Sequence, residues 1–198
     1  VSAPATMLVT CSVYEREVEA LRQVRWPWAV HRRVSSMLHM RPQKLERHLA
    51  AALDDARAGS RVVLVYGDCC PAMASLEGRP GVARTRALNC CELLLGADAY
   101  RQLSREGAFF LLHEWAERWP EVFQQELGLD LAQARELMTD LHRKLVYLDT
   151  GLAPVPEAVL AACAAFAGLP CEVRPTPLDH LAGRIDDALR RLGAGEAA

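Results

Sequence analysis

The stretch Val62-Val63-Leu64-Val65-Tyr66-Gly67-Asp68-Cys69-Cys70-Pro71 decides the fold class. Its first five residues show no polar alternation, the pattern of a strand covered on both faces, as in a parallel sheet. Gly67-Asp68 then turns the chain, and two adjacent cysteines follow at the strand's carboxyl end. In open α/β sheets ligands sit beyond the carboxyl ends of the strands, so the residues just after each such run carry the chemistry.

The flanking sequence repeats the theme. Met7–Cys11 reads as a first strand, and Tyr14–Val24 as a helix with Val18, Leu21 and Val24 on one face. Ala29–Val34 reads as a second, short strand. Pro42 suits the first turn of a helix reaching about Ala58, with Leu45, Leu49 and Leu53 spaced by four and Gly59-Ser60 stopping it. Downstream, Val82–Thr85, Ala108–Leu112, Leu145–Leu148 and the edge segment Cys171–Val173 read as strands. Between and after them fall helices starting at Cys91 and over Glu114–Leu127, Leu131–Arg143, Pro156–Ala167 and Leu178–Leu192, with Pro120 a break in the second. This alternation predicts a single α/β domain over residues 1–192, a mostly parallel sheet flanked by helices. A Gly/Ala-rich tail, Gly193–Ala198, is expected to be flexible.

Composition narrows the function classes. The 198 residues are 51% apolar, with 23 basic and 25 acidic side chains and a formal net charge of -2. A chain of this length buries a core without covalent staples, so its seven cysteines are not needed to hold the fold. The charge balance gives no reason to expect nucleic acid or an anionic membrane as partner. No apolar run approaches the roughly 20 residues of a membrane span. Residues 1–10 lack the basic start and long apolar core of a signal peptide, so the cytoplasm is the expected compartment.

The cysteines are the informative feature. Cys11 ends the first strand, Cys69 and Cys70 follow the third, and Cys90 and Cys91 follow Val82–Thr85 at a helix start. These five are expected to converge on one rim, whereas Cys163 and Cys171 need not join them. Thiolates suit zinc, copper(I) and iron–sulfur clusters, and a helix start stabilises a thiolate. Three thiolates from three strand ends leave one coordination position open. Against this, cysteine also packs as a small buried hydrophobe. Adjacent side chains on extended backbone point to opposite faces, so one cysteine of each pair is read as ligand and the other as packing. The spacing matches no CxxC zinc knuckle, and the metal's identity is not readable from it.

His39, just before a helix, and His113, after the strand Ala108–Leu112, are further candidate ligands or proton carriers. Asp68 and Glu92 flank the cysteine pairs and can orient a ligand or cap a helix. Arg84 and Arg86 can neutralise a thiolate site or bind an anionic group of a cofactor. A solvated surface role accounts for both arginines equally well. Trp115, Trp119 and Phe123 have helical spacing, which points to core or to a contact between copies in a homo-oligomer. GxGxxG, Walker A, GxSxG and HExxH motifs are absent.

The stretch Leu38–Gly151 resembles a bacterial and archaeal family catalogued only as a domain of unknown function. The likeness rests on Leu-His-x-x-Pro at Leu38–Pro42, Tyr-Gly-x-Cys at Tyr66–Cys69, and an Arg-containing run leading to Cys90 and the Leu-Leu-Gly turn Leu94–Gly96. It extends to Gly-x-Phe-Phe-Leu and the following Trp at Gly107–Trp115, and Cys11 fits as well. The family pattern has His-Asp-Cys where this chain has Leu88-Asn89-Cys90, and its cysteines are not generally doubled. The resemblance implies Cys11, Cys69 and Cys90 as the functional three. It also implies a context of corrinoid-dependent one-carbon metabolism, so a corrinoid joins the cofactor expectations.

Together these features lead us to expect a protein that binds a transition metal or iron–sulfur cluster through Cys11, Cys69 and Cys90. Cys70, Cys91, His39 and His113 are the further candidate ligands. An enzyme and a cofactor-handling accessory protein both fit. The alternative is a metal-free thiol enzyme, redox or group-transfer, using Cys90 or Cys91. The partner is a small molecule or metal cofactor in either case.

Overall fold

Val62, Val63, Leu64 and Val65 are all buried, and the strand they belong to, β3 (Arg61–Val65), is paired along both edges. The computed structural model describes residues 5–56, 59–122, 128 and 130–194. Two compact units are distinguished: Val1–Leu94 with Leu178–Ala198, and Leu95–Pro177. Each has its own all-parallel sheet, so the architecture is α/β, with two sheets where the sequence suggested one.

In the first unit, β1 (Thr6–Cys11), β2 (Val30–Val34), β3 and β4 (Val82–Arg84) run in the order β2-β1-β3-β4. Its helices are α1 (Glu15–Arg25), α2 (Pro42–Asp54), α3 (Met73–Glu77), α4 (Cys90–Leu95) and, at the chain's far end, α9 (Asp179–Ala194). Helix α1 packs on β1 and β2, and α9 on β3 and β4. Leu8, Val63, Leu45, Leu49, Leu181 and Ile185 are fully buried and form its core.

In the second unit, β5 (Ala108–Leu111), β6 (Lys144–Asp149) and β7 (Cys171–Pro175) run in the order β5-β6-β7. Its helices are α5 (Ala97–Arg105), α6 (His113–Glu117), α7 (Leu131–Leu141) and α8 (Glu157–Ala167). Leu111, Leu145, Tyr147, Met138 and Leu160 make a separate core, with Trp119 packed on Phe166 at 4.8 Å between ring centroids. Asp130 and Gln133 cap α7 reciprocally.

Several boundaries differ from expectation. Val24 is 83% exposed, because six helical residues past Val18 turn it off the face that Tyr14, Glu17 and Val18 bury. Helix α2 ends at Asp54, short of Ala58, which lies outside the described residues. The helix expected over Glu114–Leu127 is interrupted at Arg118: α6 ends at Glu117 and helical backbone resumes over 119–122, with Pro120 inside that second piece; Phe123 and residues 124–127 lie outside the described residues, as do 195–198 of the tail. No helix among the described residues is long and apolar enough to cross a membrane.

Candidate functional site

The order β2-β1-β3-β4 sends the chain outward on one side of β1 and then back across to β3. The β1/β3 boundary is therefore a topological switch point, where the crevice beyond the carboxyl ends opens. Cys11 is the last residue of β1 and is 1% exposed. Thr10 pairs with Val65 in the β1–β3 register, so the next residues along, Cys11 and Tyr66, share a face of the sheet.

Two clamps hold Tyr66 there. The Tyr66 backbone N–H donates to the Thr85 hydroxyl at 2.9 Å, and that hydroxyl donates to the Tyr66 carbonyl at 2.9 Å. From the short 3-10 turn after β1, the buried Tyr14 hydroxyl donates to the Val65 carbonyl. Sequence reading missed both tyrosines as site residues, although Tyr66 stands in the Tyr-Gly-x-Cys motif.

Gly67 explains how the two cysteine-bearing loops meet. A Cβ at this position would sit 2.6 Å from the Asn89 Cα, so only glycine lets the segment after β3 pass against the start of α4. The Asp68 N–H bridges the carbonyls of Ala87 and Leu88 at 3.0 and 3.1 Å. Asn89 accepts from the Glu92 N–H at 3.0 Å, and Glu92 accepts from the Leu88 N–H at 3.2 Å, a reciprocal cap on α4. Thus Asn89 and Glu92 hold the loop that presents Cys90.

The thiols at this rim act on one another. Cys90 and Cys91 have sulfurs 4.0 Å apart. A hydrogen bond from Cys91 pulls the Cys90 thiol below its ordinary range, helped by the N–H groups of Cys90 and Cys91 and opposed by burial. Cys91, as donor, is pushed up by that same bond, by burial, and by the charges of Cys90 and Cys69. Burial raises Cys69 to about 12, and the charge of Cys90 adds to it. Tyr14 is likewise raised, by burial and then by charge on Cys11, Cys69 and Cys90. Cys11, Cys69, Cys90 and Cys91 thus border one buried region with the two phenols.

Cys70 also bears on this region, since, after burial, its charge raises the Tyr66 phenol and Cys69. Burial raises Cys70 itself, N–H groups of Ala72 and Met73 lower it, and the outside charges it feels are Glu46 and Arg84. The restriction that Pro71 places on its backbone fits this turn toward α2. His39, in a 3-10 turn before α2, sets its ring edge-on to Tyr66 at 6.3 Å. Arg84 is nearly buried, pairs with Asp68 at 2.6 Å and Glu77 at 3.4 Å, and its charge lowers both Cys69 and Cys70. Arg86 is exposed, 3.7 Å from Glu77.

The other candidates belong to the second unit. His113 accompanies the Tyr147 hydroxyl at 2.9 Å and Glu117 at 3.2 Å. Cys163 is buried against β7 and raised to about 12, by burial and then by Cys171. Among the described residues no cysteine is in a disulfide. Nor is any group of three or more His, Cys, Asp or Glu side chains among them set as a ready-made metal-ion site.

A family model described as a protein of unknown function, DUF1638, matches residues 34–184, well over half of the chain. The chain belongs to the DUF1638 family. Cys69, Cys70, Cys90 and Cys91 of this DUF1638 protein fall inside the matched residues, whereas Cys11 precedes them. No curated protein and no solved structure matches the chain.

Proposed function

We propose that the β1/β3 switch point is a thiolate site that binds a transition metal or metallocluster, with Cys11, Cys69 and Cys90 as its protein ligands. The observation that carries this reading is that the last residue of β1, the loop after β3 and the first residue of α4 are each a cysteine, and all three bear on the buried Tyr14 phenol. Burial and mutual charge hold Cys69 and Cys91 protonated in the metal-free chain. A soft cation relieves both penalties at once, since it replaces the protons and neutralises the clustered charge.

A single tetrahedral ion bound through sulfur at about 2.3 Å needs its thiolates about 3.8 Å apart. Since no such set of three is ready-made, the thiols must draw together around an ion, or a larger cluster must span them. Wider-set thiolates favour the cluster. The corrinoid-linked one-carbon context belongs to the same proposal: such a site would serve electron supply to, or handling of, a corrinoid cofactor.

The test is anaerobic purification of the full chain, reconstitution with ferrous iron and sulfide, metal analysis and an absorption spectrum. Sulfur-to-metal charge-transfer bands are expected, lost in Cys11→Ala, Cys69→Ala and Cys90→Ala. Metal-free protein with all seven thiols titratable would overturn the reading.

One observation favours a second reading, a thiol nucleophile without metal. Cys90 is the thiol at this rim that its surroundings pull down, and Cys91 and Cys69 stand by as resolving partners. Turnover of a disulfide or thioester substrate by rigorously metal-free protein, abolished by Cys90→Ala, would establish it.

A further inference from the structure

Trp26-Pro27-Trp28 places two indoles on the turn between α1 and β2, and the fold treats them oppositely. Trp26 is buried; its Nε1–H donates to Asp186 of α9 at 2.9 Å, and the Arg25 guanidinium stands over its ring at 5.7 Å. Trp28 is 59% exposed. The turn that presents it is pinned. The Ala29 N–H donates to the Trp26 carbonyl at 2.9 Å, and Arg22 donates to the carbonyls of Pro27 and Ala29 at 3.4 and 3.3 Å. An exposed indole on backbone held this firmly is organised before anything binds to it.

Both indoles line a cleft of about 770 Å³, together with α9 and with Thr6 and Arg61, the first residues of β1 and β3. That volume lies in the range of small-molecule sites. The cleft is at the amino ends of strands whose carboxyl ends carry the thiols, so it is a separate place in the fold. Gly183, Asp186 and Arg190 line it from one face of α9, spaced by three and four residues. A glycine inside a helix weakens that helix. The fold does not require one at 183, since its φ is not positive and a Cβ there would meet no heavy atom of the described residues within 4 Å. What the glycine supplies is room in the cleft.

Charge decides what that room suits. Asp186, the acid in the wall, is engaged by Trp26 and by an ion pair with Arg25. Arg190 meets Asp187 at 3.4 Å in an exposed pair, which holds it weakly and leaves it able to turn to a better acceptor. Arg61 adds a second guanidinium to the lining. We propose that this cleft binds a small ligand with a planar ring and an anionic group, of nucleoside monophosphate size, the ring stacking on Trp28 and the anion held by Arg190 and Arg61. Guanidinium pairs with such anions are the strong, charge-assisted kind of hydrogen bond. The site stands independently of the thiolate reading above.

Adenosine monophosphate is the probe, with adenosine and inorganic phosphate as its two halves, each titrated calorimetrically into the full chain. The nucleotide is expected to bind more tightly than about 1 mM, and each half at least about tenfold more weakly. Trp28→Ala and Arg190→Gln are each expected to weaken nucleotide binding about tenfold. Gly183→Leu fills the cleft from α9 and is expected to abolish binding while unfolding at a higher urea concentration than wild type, because leucine is the better helix former.

Wild type that does not bind the nucleotide would overturn the proposal. Binding left unchanged by both Trp28→Ala and Arg190→Gln would place the nucleotide elsewhere and overturn it too. So would a Gly183→Leu chain that binds as wild type does, or one that unfolds more easily or fails to fold, since the glycine would then serve the fold. Self-association in sedimentation that Trp28→Ala abolishes would assign the exposed indole to an interface between copies, and overturn the ligand site.

Discussion

Cys90 and Cys91 are chemically identical side chains that their surroundings drive in opposite directions. Cys91 donates to Cys90, so the proton stays on Cys91 and negative charge is favoured on Cys90. In metal-free protein, alkylation should strike Cys90 at a pH below the free-thiol value of about 8.5, whereas Cys69 should resist until far higher pH. Cys91→Ala removes the donor, so the midpoint of Cys90 alkylation should move up in pH. Mass mapping of the labelled peptide across a pH series reads this directly, and an unmoved midpoint would assign the lowering to the backbone N–H groups instead. A second contrast separates Cys69 from its neighbour. Cys70 feels Glu46 of α2 and accepts from the N–H groups of Ala72 and Met73, so Cys70→Ala should lose about 1 kcal/mol of stability with metal loading intact. Denaturant unfolding and metal content, measured on one preparation, check both halves of that expectation.

At the scale of elements, the site depends on how closely the segment after β3 passes the start of α4. Gly67→Ala puts a methyl group against Asn89 backbone that cannot retreat without breaking the Asp68 bridge to Ala87 and Leu88. Overpacking of this kind typically loses 1–3 kcal/mol, of order what we expect here. It should also part Cys69 from Cys90, weakening metal loading more than Cys70→Ala does. On the other side of the same sheet, a chain of polar contacts ties β1, β2 and α1. The Thr10 hydroxyl meets His31 Nε2 at 2.8 Å, and His31 Nδ1 donates to Glu19 at 3.0 Å. The donor and acceptor roles follow from the ionised carboxylate. Glu19, gripped also by Arg22 and Gln23, is held at about 2. A carboxyl depressed in the folded state contributes stability above its unfolded value of about 4.3 and loses it as pH falls toward the folded value. The stability gap between wild type and Glu19→Gln should be full at pH 7 and shrink below about pH 4 as the carboxylate protonates. Urea unfolding at three pH values measures it.

Strand β3 is readable because four consecutive buried residues leave no other periodicity, and the cysteines at strand ends follow from the turn after it. Helix α5 is carried by Ala97, Tyr100 and Leu103 at helical spacing, a short period in which Leu103 alone is buried. Val24 misleads because an apolar residue every three positions drifts around a helix of 3.6 per turn. The approach of Gly67 to Asn89 and the grip of Thr85 on the Tyr66 backbone are products of tertiary packing between distant segments, and no local pattern encodes either.

At the scale of the whole molecule, the same strand–helix alternation serves two sheets, because alternation specifies strand type and leaves strand pairing open. The second unit, Leu95–Pro177, is continuous in sequence, whereas the first is assembled from both ends of the chain. It has its own core of Leu111, Leu145, Tyr147, Met138, Leu160 and Phe166, and its own capped helix α7. Its edge strand β7 presents Glu172 and Arg174 to solvent, and Lys144 links Glu106 to Glu172 at 2.9 and 3.0 Å. Charge on an exposed edge discourages strand pairing between copies. These features predict that the fragment 95–177 folds alone, with a cooperative transition and a stability of a few kcal/mol, the low end for a chain of its size. Far-ultraviolet circular dichroism and aromatic fluorescence should then report coincident urea midpoints. The fragment holds only Cys163 and Cys171, so it should take up none of the metal that the full chain binds. A non-cooperative transition would mean that the two sheets fold only together, as the single domain first expected from the sequence; metal uptake by the fragment would move the thiolate site away from the β1/β3 switch point.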